Sequence, residues 1–219
     1  MRRQLIHYLI LCNIFIAAEA EGACIDMQNG KAVLPRIANG FAIVTSCATA
    51  DERGGNIHVD VFVSKSKRAS VNAPYADSAY SLSIDNSIDF DGGKSQGLGV
   101  STGAGRDGDG MHYWKISKNG RLIQDLGDAP RLRNDKFMKG YLSGLVSSGG
   151  EYQSFRYFYQ VDHGRLVVKR AMGFNSTDSS SVNVTSMSVR NGQDFITERK
   201  TVLTEERAQQ CQNGDINCW

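Results

Sequence analysis

The residues in this chain able to do chemistry fall into four groups. The first is Ser148-Gly149-Gly150-Glu151-Tyr152, a hydroxyl and a phenol ring separated by flexible backbone. The second is a pair of Asp/Gly stretches, DFDGG at 89–93 and DGDG at 107–110. The third is His58, His112 and His163, which lie far apart in the chain. The fourth is Cys24, Cys47, Cys211 and Cys218.

A calcium loop needs several oxygen ligands around one point, with glycine permitting the turn. Strict loops of that kind carry acids at the first and ninth positions, where this chain has Ser87 and Ser95. Asp89 and Asp91 remain as the candidate ligands, with Asp85 nearby. A tight inter-strand turn is the preferred reading, and structural calcium at Asp89 and Asp91 is the alternative. Serine catalysis needs a base beside the nucleophile. No GxSxG is present, and no motif surrounds any of the three histidines. Paired carboxylates such as Asp107 and Asp109 could serve glycoside hydrolysis, but only their nearness in sequence suggests it. The chain is therefore read as a binder rather than an enzyme, with no cofactor required.

The N-terminus has the form of an export signal. Arg2 and Arg3 precede an apolar run over 5–18, and Ala18-Glu19-Ala20 fits a signal peptidase site. The run is too short to span a membrane comfortably, so no span is expected in the mature chain. Cleavage near Ala20 would send the rest to the periplasm or outside the cell. Cleavage before Cys24 with lipidation is disfavoured by Glu21, where such sites carry an aliphatic residue. Export removes Cys12 and leaves four cysteines in an oxidising compartment, which suits two disulfides. Three pairings are open. Nearness in the chain favours Cys24–Cys47 and Cys211–Cys218.

Residues 21–219 read as a single all-β domain. Glycine is frequent at 23 residues and proline scarce at 3, as a fold of many turns requires. Strands are predicted at 41–47, 57–63, 80–84, 98–101, 111–116, 121–126, 140–146, 155–161, 165–172, 182–189 and 194–203. The alternation slips between Val184 and Met187, which predicts a bulge. Asn191-Gly192 is a strong hairpin signal. Residues 21–39 read as irregular and 65–78 as a polar loop. Thr204 is placed to cap a short helix through Gln210. Hairpins at fairly regular spacing predict a propeller-like array, with a β-sandwich as the alternative. The whole chain carries a net charge of +2 and shows no basic stripe, which argues against a nucleic-acid partner. The basic cluster at 65–68 reads as a solvated turn.

The tip sequence at 148–152 has the form SGxxY and resembles the signature of bacterial lysozyme inhibitors. The wider runs IDFDGG, GDGMHYWKISKNGRLI and YLSGLVSSGGEYQSFRYFYQVDHGRLVV are similar to one branch of them. That branch is the propeller-like periplasmic immunity proteins against secreted lysozyme-like effectors. The resemblance covers about residues 79–172. It implies a partner, a lysozyme-like glycoside hydrolase whose cleft the hairpin would plug. Ser148 would then reach the catalytic carboxyls, because a hydroxyl can donate to a carboxylate and accept from an acid at once. Gly149 would let the backbone enter, and Tyr152 would fill a sugar subsite. The alternatives are a cell-envelope carbohydrate-binding module stacking Tyr113 and Trp114 on sugars, and a hydrolase using the Asp-rich loops.

Overall fold

The computed structural model describes residues 24, 26–48, 54–75, 81–105, 108–150, 152–177, 180–190 and 194–219. The signal segment, Asp107, Glu151 and the Asn191-Gly192 turn lie outside the described residues.

The chain folds into three antiparallel sheets laid down in order. The first holds β1 (Asp26–Val33), β2 (Gly40–Ala48), β3 (Gly55–Val63) and β4 (Ser66–Tyr75), neighbours in sequence being neighbours in space. The second repeats this order with β5 (Ile84–Asp85), β6 (Ser95–Ser101), β7 (Gly110–Ser117) and β8 (Ile123–Pro130). The third begins likewise with β9 (Arg133–Asn134), β10 (Leu142–Ser147), β11 (Ser154–Asp162) and β12 (Arg165–Ser176). It then adds β13 (Ser181–Arg190) and β14 (Asp194–Thr204), followed by the helix α1 (Glu205–Asn213). Three up-and-down sheets in succession make the propeller-like array the hairpin spacing predicts, and the sheets remain open rather than closing into one barrel.

The middle sheet has apolar surface on both sides, and that explains the stacking. One core joins it to the first sheet through Leu34, Val44, Ile57, Val59, Leu98 and Trp114. A second joins it to the third sheet through Ile88, Met111, Tyr113, Leu126, Leu142 and Tyr159. Successive strand residues point to opposite faces, so adjacent Tyr113 and Trp114 enter different cores and are both fully buried. Neither ring can stack on an external sugar, contrary to that part of the carbohydrate-binding alternative.

Two stretches read as irregular are strands. β1 pairs with β2 along its whole length, from Asp26–Ala48 to Val33–Phe41. Its sequence DMQNGKAV is mostly polar because it forms the exposed edge of its sheet. β4 replaces the polar loop expected at 65–78. Its inward positions are the small Ala69, Val71 and Ala73 with Tyr75, between solvated Ser70, Asn72 and Pro74. Proline is tolerated there because β4 is an edge strand. The turn before it is Ser64-Lys65, both at positive φ, and the rest of the basic cluster read as a turn, Ser66, Lys67 and Arg68, forms the exposed start of β4. Within the described part of the strand expected at 80–84, Ile84 pairs with β6, and the ladder continues to Asp85. The bulge expected in β13 occurs between Ser186 and Met187.

The helix starts as expected. The Thr204 hydroxyl accepts from the Arg207 N–H at 3.4 Å, and Glu205 and Glu206 occupy the first turn. It runs three residues further than expected, to Asn213, and is capped by Gly214, whose φ of 66° suits glycine. Both disulfides follow the local pairing, Cys24–Cys47 and Cys211–Cys218. With its sulfur bonded to Cys47, Cys24 has no thiol left for a lipid. No helix among the described residues is long and apolar enough to cross a membrane.

Candidate functional site: the β10–β11 tip

The β10–β11 hairpin closes with the pair Ser147–Ser154. Beyond it the tip is drawn together by the Ser148 N–H donating to the Gln153 carbonyl at 2.8 Å. The Gly150 N–H donates to Ser148 Oγ over a long 3.4 Å. Gly149 and Gly150 are exposed, while Ser148 and Tyr152 are half-buried. The Gln153 N–H donates to the Phe174 carbonyl at 2.8 Å, which ties the tip sideways to β12.

Tyr152 turns back onto its own sheet. Its ring lies over Gly173, the residue opposite Phe155 in the ladder. It also meets Phe155 at 5.0 Å between ring centroids. Phe155 stacks on Tyr157 at 5.4 Å, and Tyr157 meets Phe195 of β14 at 6.3 Å. The alternation of FRYFY along β11 thus makes an aromatic row on one face. The opposite face carries Ser154, Arg156 and Phe158 against the C-terminal helix and tail.

Arg156 is the anchor of that opposite face, with a side chain only 4% exposed. Its guanidinium is paired with the buried Asp135 carboxylate. It donates to the Cys211 carbonyl at 2.6 Å and, more weakly, to Ser143 Oγ at 3.3 Å. The same group therefore links β10, β11, the β9–β10 connection and the end of α1. Nothing in the sequence signals this network, because its members lie 13, 21 and 55 positions from Arg156.

The Asp/Gly loop locks itself. Asp89 Oδ1 accepts from the N–H groups of Asp91 at 3.1 Å and Gly93 at 2.9 Å. Its other oxygen lies 3.5 Å from Arg36. Asp91 accepts from the Ser95 N–H at 3.0 Å and the Ser95 hydroxyl at 2.8 Å. Burial pushes the Asp89 carboxyl up, but the N–H donors and Arg36 outweigh it and hold it below the ordinary carboxylate range. Backbone, hydroxyl and cation thus occupy the two candidate calcium ligands. No group of three potential metal ligands converges among the described residues.

The histidines stand in three separate settings. His163 is a turn residue with φ of 47° and a 97% exposed side chain. His58 bridges Asn72 at 2.6 Å and Asp60 at 3.0 Å. His112 is buried between Asp128, 2.7 Å from Nδ1, and Asp125, 3.0 Å from Nε2, beside the Trp114 ring. Burial pulls its pKa down, yet the hydrogen bond and charge of Asp128 with the charge of Asp125 raise it overall. Each ring nitrogen already has a carboxylate partner, and those charges favour the protonated form of the ring.

Comparison of the chain with models of protein families, with curated proteins and with solved structures gave no match.

Proposed function

We propose that this protein is an exported inhibitor, of the immunity type, that plugs the cleft of a lysozyme-like peptidoglycan hydrolase with its 148–152 tip. Two disulfides fit an oxidising compartment, and the periplasm is the compartment this reading requires. The observation that carries the proposal is that Ser148, Gly149 and Gly150 lie beyond the last ladder pair of a hairpin braced on both faces. A tip held this way loses little conformational freedom on binding, which lowers the cost of association. Its hydroxyl has the chemistry to bridge a charged and a protonated carboxyl. The exposed glycines let the backbone follow it into a narrow cleft. Tyr152, seated on Gly173, offers the open part of its ring beside them.

The test is turnover of cell walls by a panel of muramidases. Near-stoichiometric protein should block at least one of them. Ser148→Ala combined with Tyr152→Ala should abolish the block while the thermal unfolding transition remains cooperative. Full inhibition by the double variant, or none by the wild type on any muramidase, overturns the reading. A hydrolase would instead release sugars without a partner enzyme.

A further inference from the structure

Arginines from four strands converge on the last nine residues. Arg156 of β11 donates to the Cys211 carbonyl at 2.6 Å, and Arg133 of β9 to the Gln212 carbonyl at 3.1 Å. Arg199 of β14 donates to the Cys218 carbonyl at 3.0 Å. The Arg170 guanidinium of β12 lies 4.6 Å from the centre of the Trp219 ring. The last carbonyls of a helix have no intrahelical partner and form its negative end, so guanidinium donors are well matched to them. Gly214 sits against the tips of Arg156 and Arg133, where a side chain would collide. The Cys211–Cys218 bond folds this segment back on itself.

The folded-back segment reaches the tip. Gln212 Nε2 donates to Ser154 Oγ at 2.9 Å, and Ser154 is the first residue of β11 after the tip. Through Arg156 the same segment also holds Ser143 of β10. Both arms of the hairpin are thereby tied to the end of the chain. The first sheet, with its own disulfide, shares none of these contacts.

We propose that the 211–219 strap is a redox-set positioning element for the 148–152 tip: closing Cys211–Cys218 fixes the tip, and opening it frees the tip while the first two sheets stay folded. The use of the tip rests on the inhibitor reading above, but its order does not. Opening is a two-electron exchange with a dithiol. One thiolate of the reductant attacks half-exposed Cys218 and the S–S bond breaks. Its second thiolate resolves the mixed disulfide. The reductant leaves as a cyclic disulfide, and its two protons end on Cys211 and Cys218. The reverse exchange with a disulfide oxidant of the exporting compartment closes the strap.

Amide hydrogen exchange tests this at Ser148, whose N–H closes the tip, and at Gln153, whose N–H ties it to β12, with Val44 and Val59 of the first sheet as references. The pair Cys211→Ala/Cys218→Ala should exchange about tenfold faster or more at Ser148 and Gln153, with the references unchanged. Cys24→Ala/Cys47→Ala should leave Ser148 and Gln153 as in the wild type. Adding dithiothreitol to that second variant should reproduce the fast tip. Unchanged tip exchange overturns the proposal. So does equal acceleration at Val44 and Val59, or the same acceleration from the Cys24–Cys47 pair. Should the oxidised wild type inhibit no muramidase, the inhibitor reading fails while the exchange result stands.

Discussion

The ring of Tyr152 lies directly on Gly173, so close that a Cβ at position 173 would stand 2.5 Å from Tyr152 Cδ1. The absence of a side chain on β12 is what lets the tip fold over the sheet.

Gly173→Ala should therefore unseat Tyr152. Gly173 is not at positive φ, so the new methyl strains no backbone and acts only on the ring. Overpacking of this kind costs about 1–3 kcal/mol. A lower urea midpoint should accompany a shift of the Tyr152 ring resonances. An unshifted ring would contradict the contact.

Asp135→Ala should be among the more damaging single changes. It leaves Arg156 buried without its counter-charge, and breaking a buried pair costs about 3–5 kcal/mol. Chemical denaturation measures the loss. A double variant Asp135→Ala/Arg156→Met should recover much of it, because no buried charge is left unpaired.

His112 sets the alkaline arm of stability. Its pKa is raised in the folded state above the ordinary value of about 6.5. The stabilisation is then fully present below about pH 6.5 and fades as the pH rises through the folded pKa. The effect should be modest, on the order of 1 kcal/mol, because Asp125 and Asp128 are well exposed to water. Urea midpoints from pH 5 to 9 should fall across that window in the wild type and flatten in His112→Gln.

Asp89 works at the acid end with the opposite sign. Its pKa is lowered in the folded state. The stabilisation is present above the unfolded value of about 3.9 and is lost as the pH falls through the folded pKa. Asp89→Ala removes two N–H partners and the contact to Arg36, a loss of about 1–3 kcal/mol at pH 7. The deficit against the wild type should shrink on acidification, as measured by thermal unfolding between pH 2 and 7.

Much of the fold is local and so could be read from sequence. The alternation in β3 reports which face of the strand is buried, and Thr204 marks a helix start through its own hydroxyl. The cysteine pairs close short loops. β1 and β4 escaped because edge strands bury little, and their polar residues hide the period of two. MHYWKI was legible as a strand, but its aromatics looked available to a sugar. Only the stacking of sheets on both sides shows that Tyr113 and Trp114 are core residues. At the site, the sequence by itself determined a flexible turn carrying Ser148 and Tyr152. Tertiary structure alone decided that Tyr152 rests on Gly173 and that Arg156 reaches Asp135 and the Cys211 carbonyl. Those partners come together through sheet pairing and helix docking across dozens of residues, and no local pattern encodes a contact made only after the sheets have assembled.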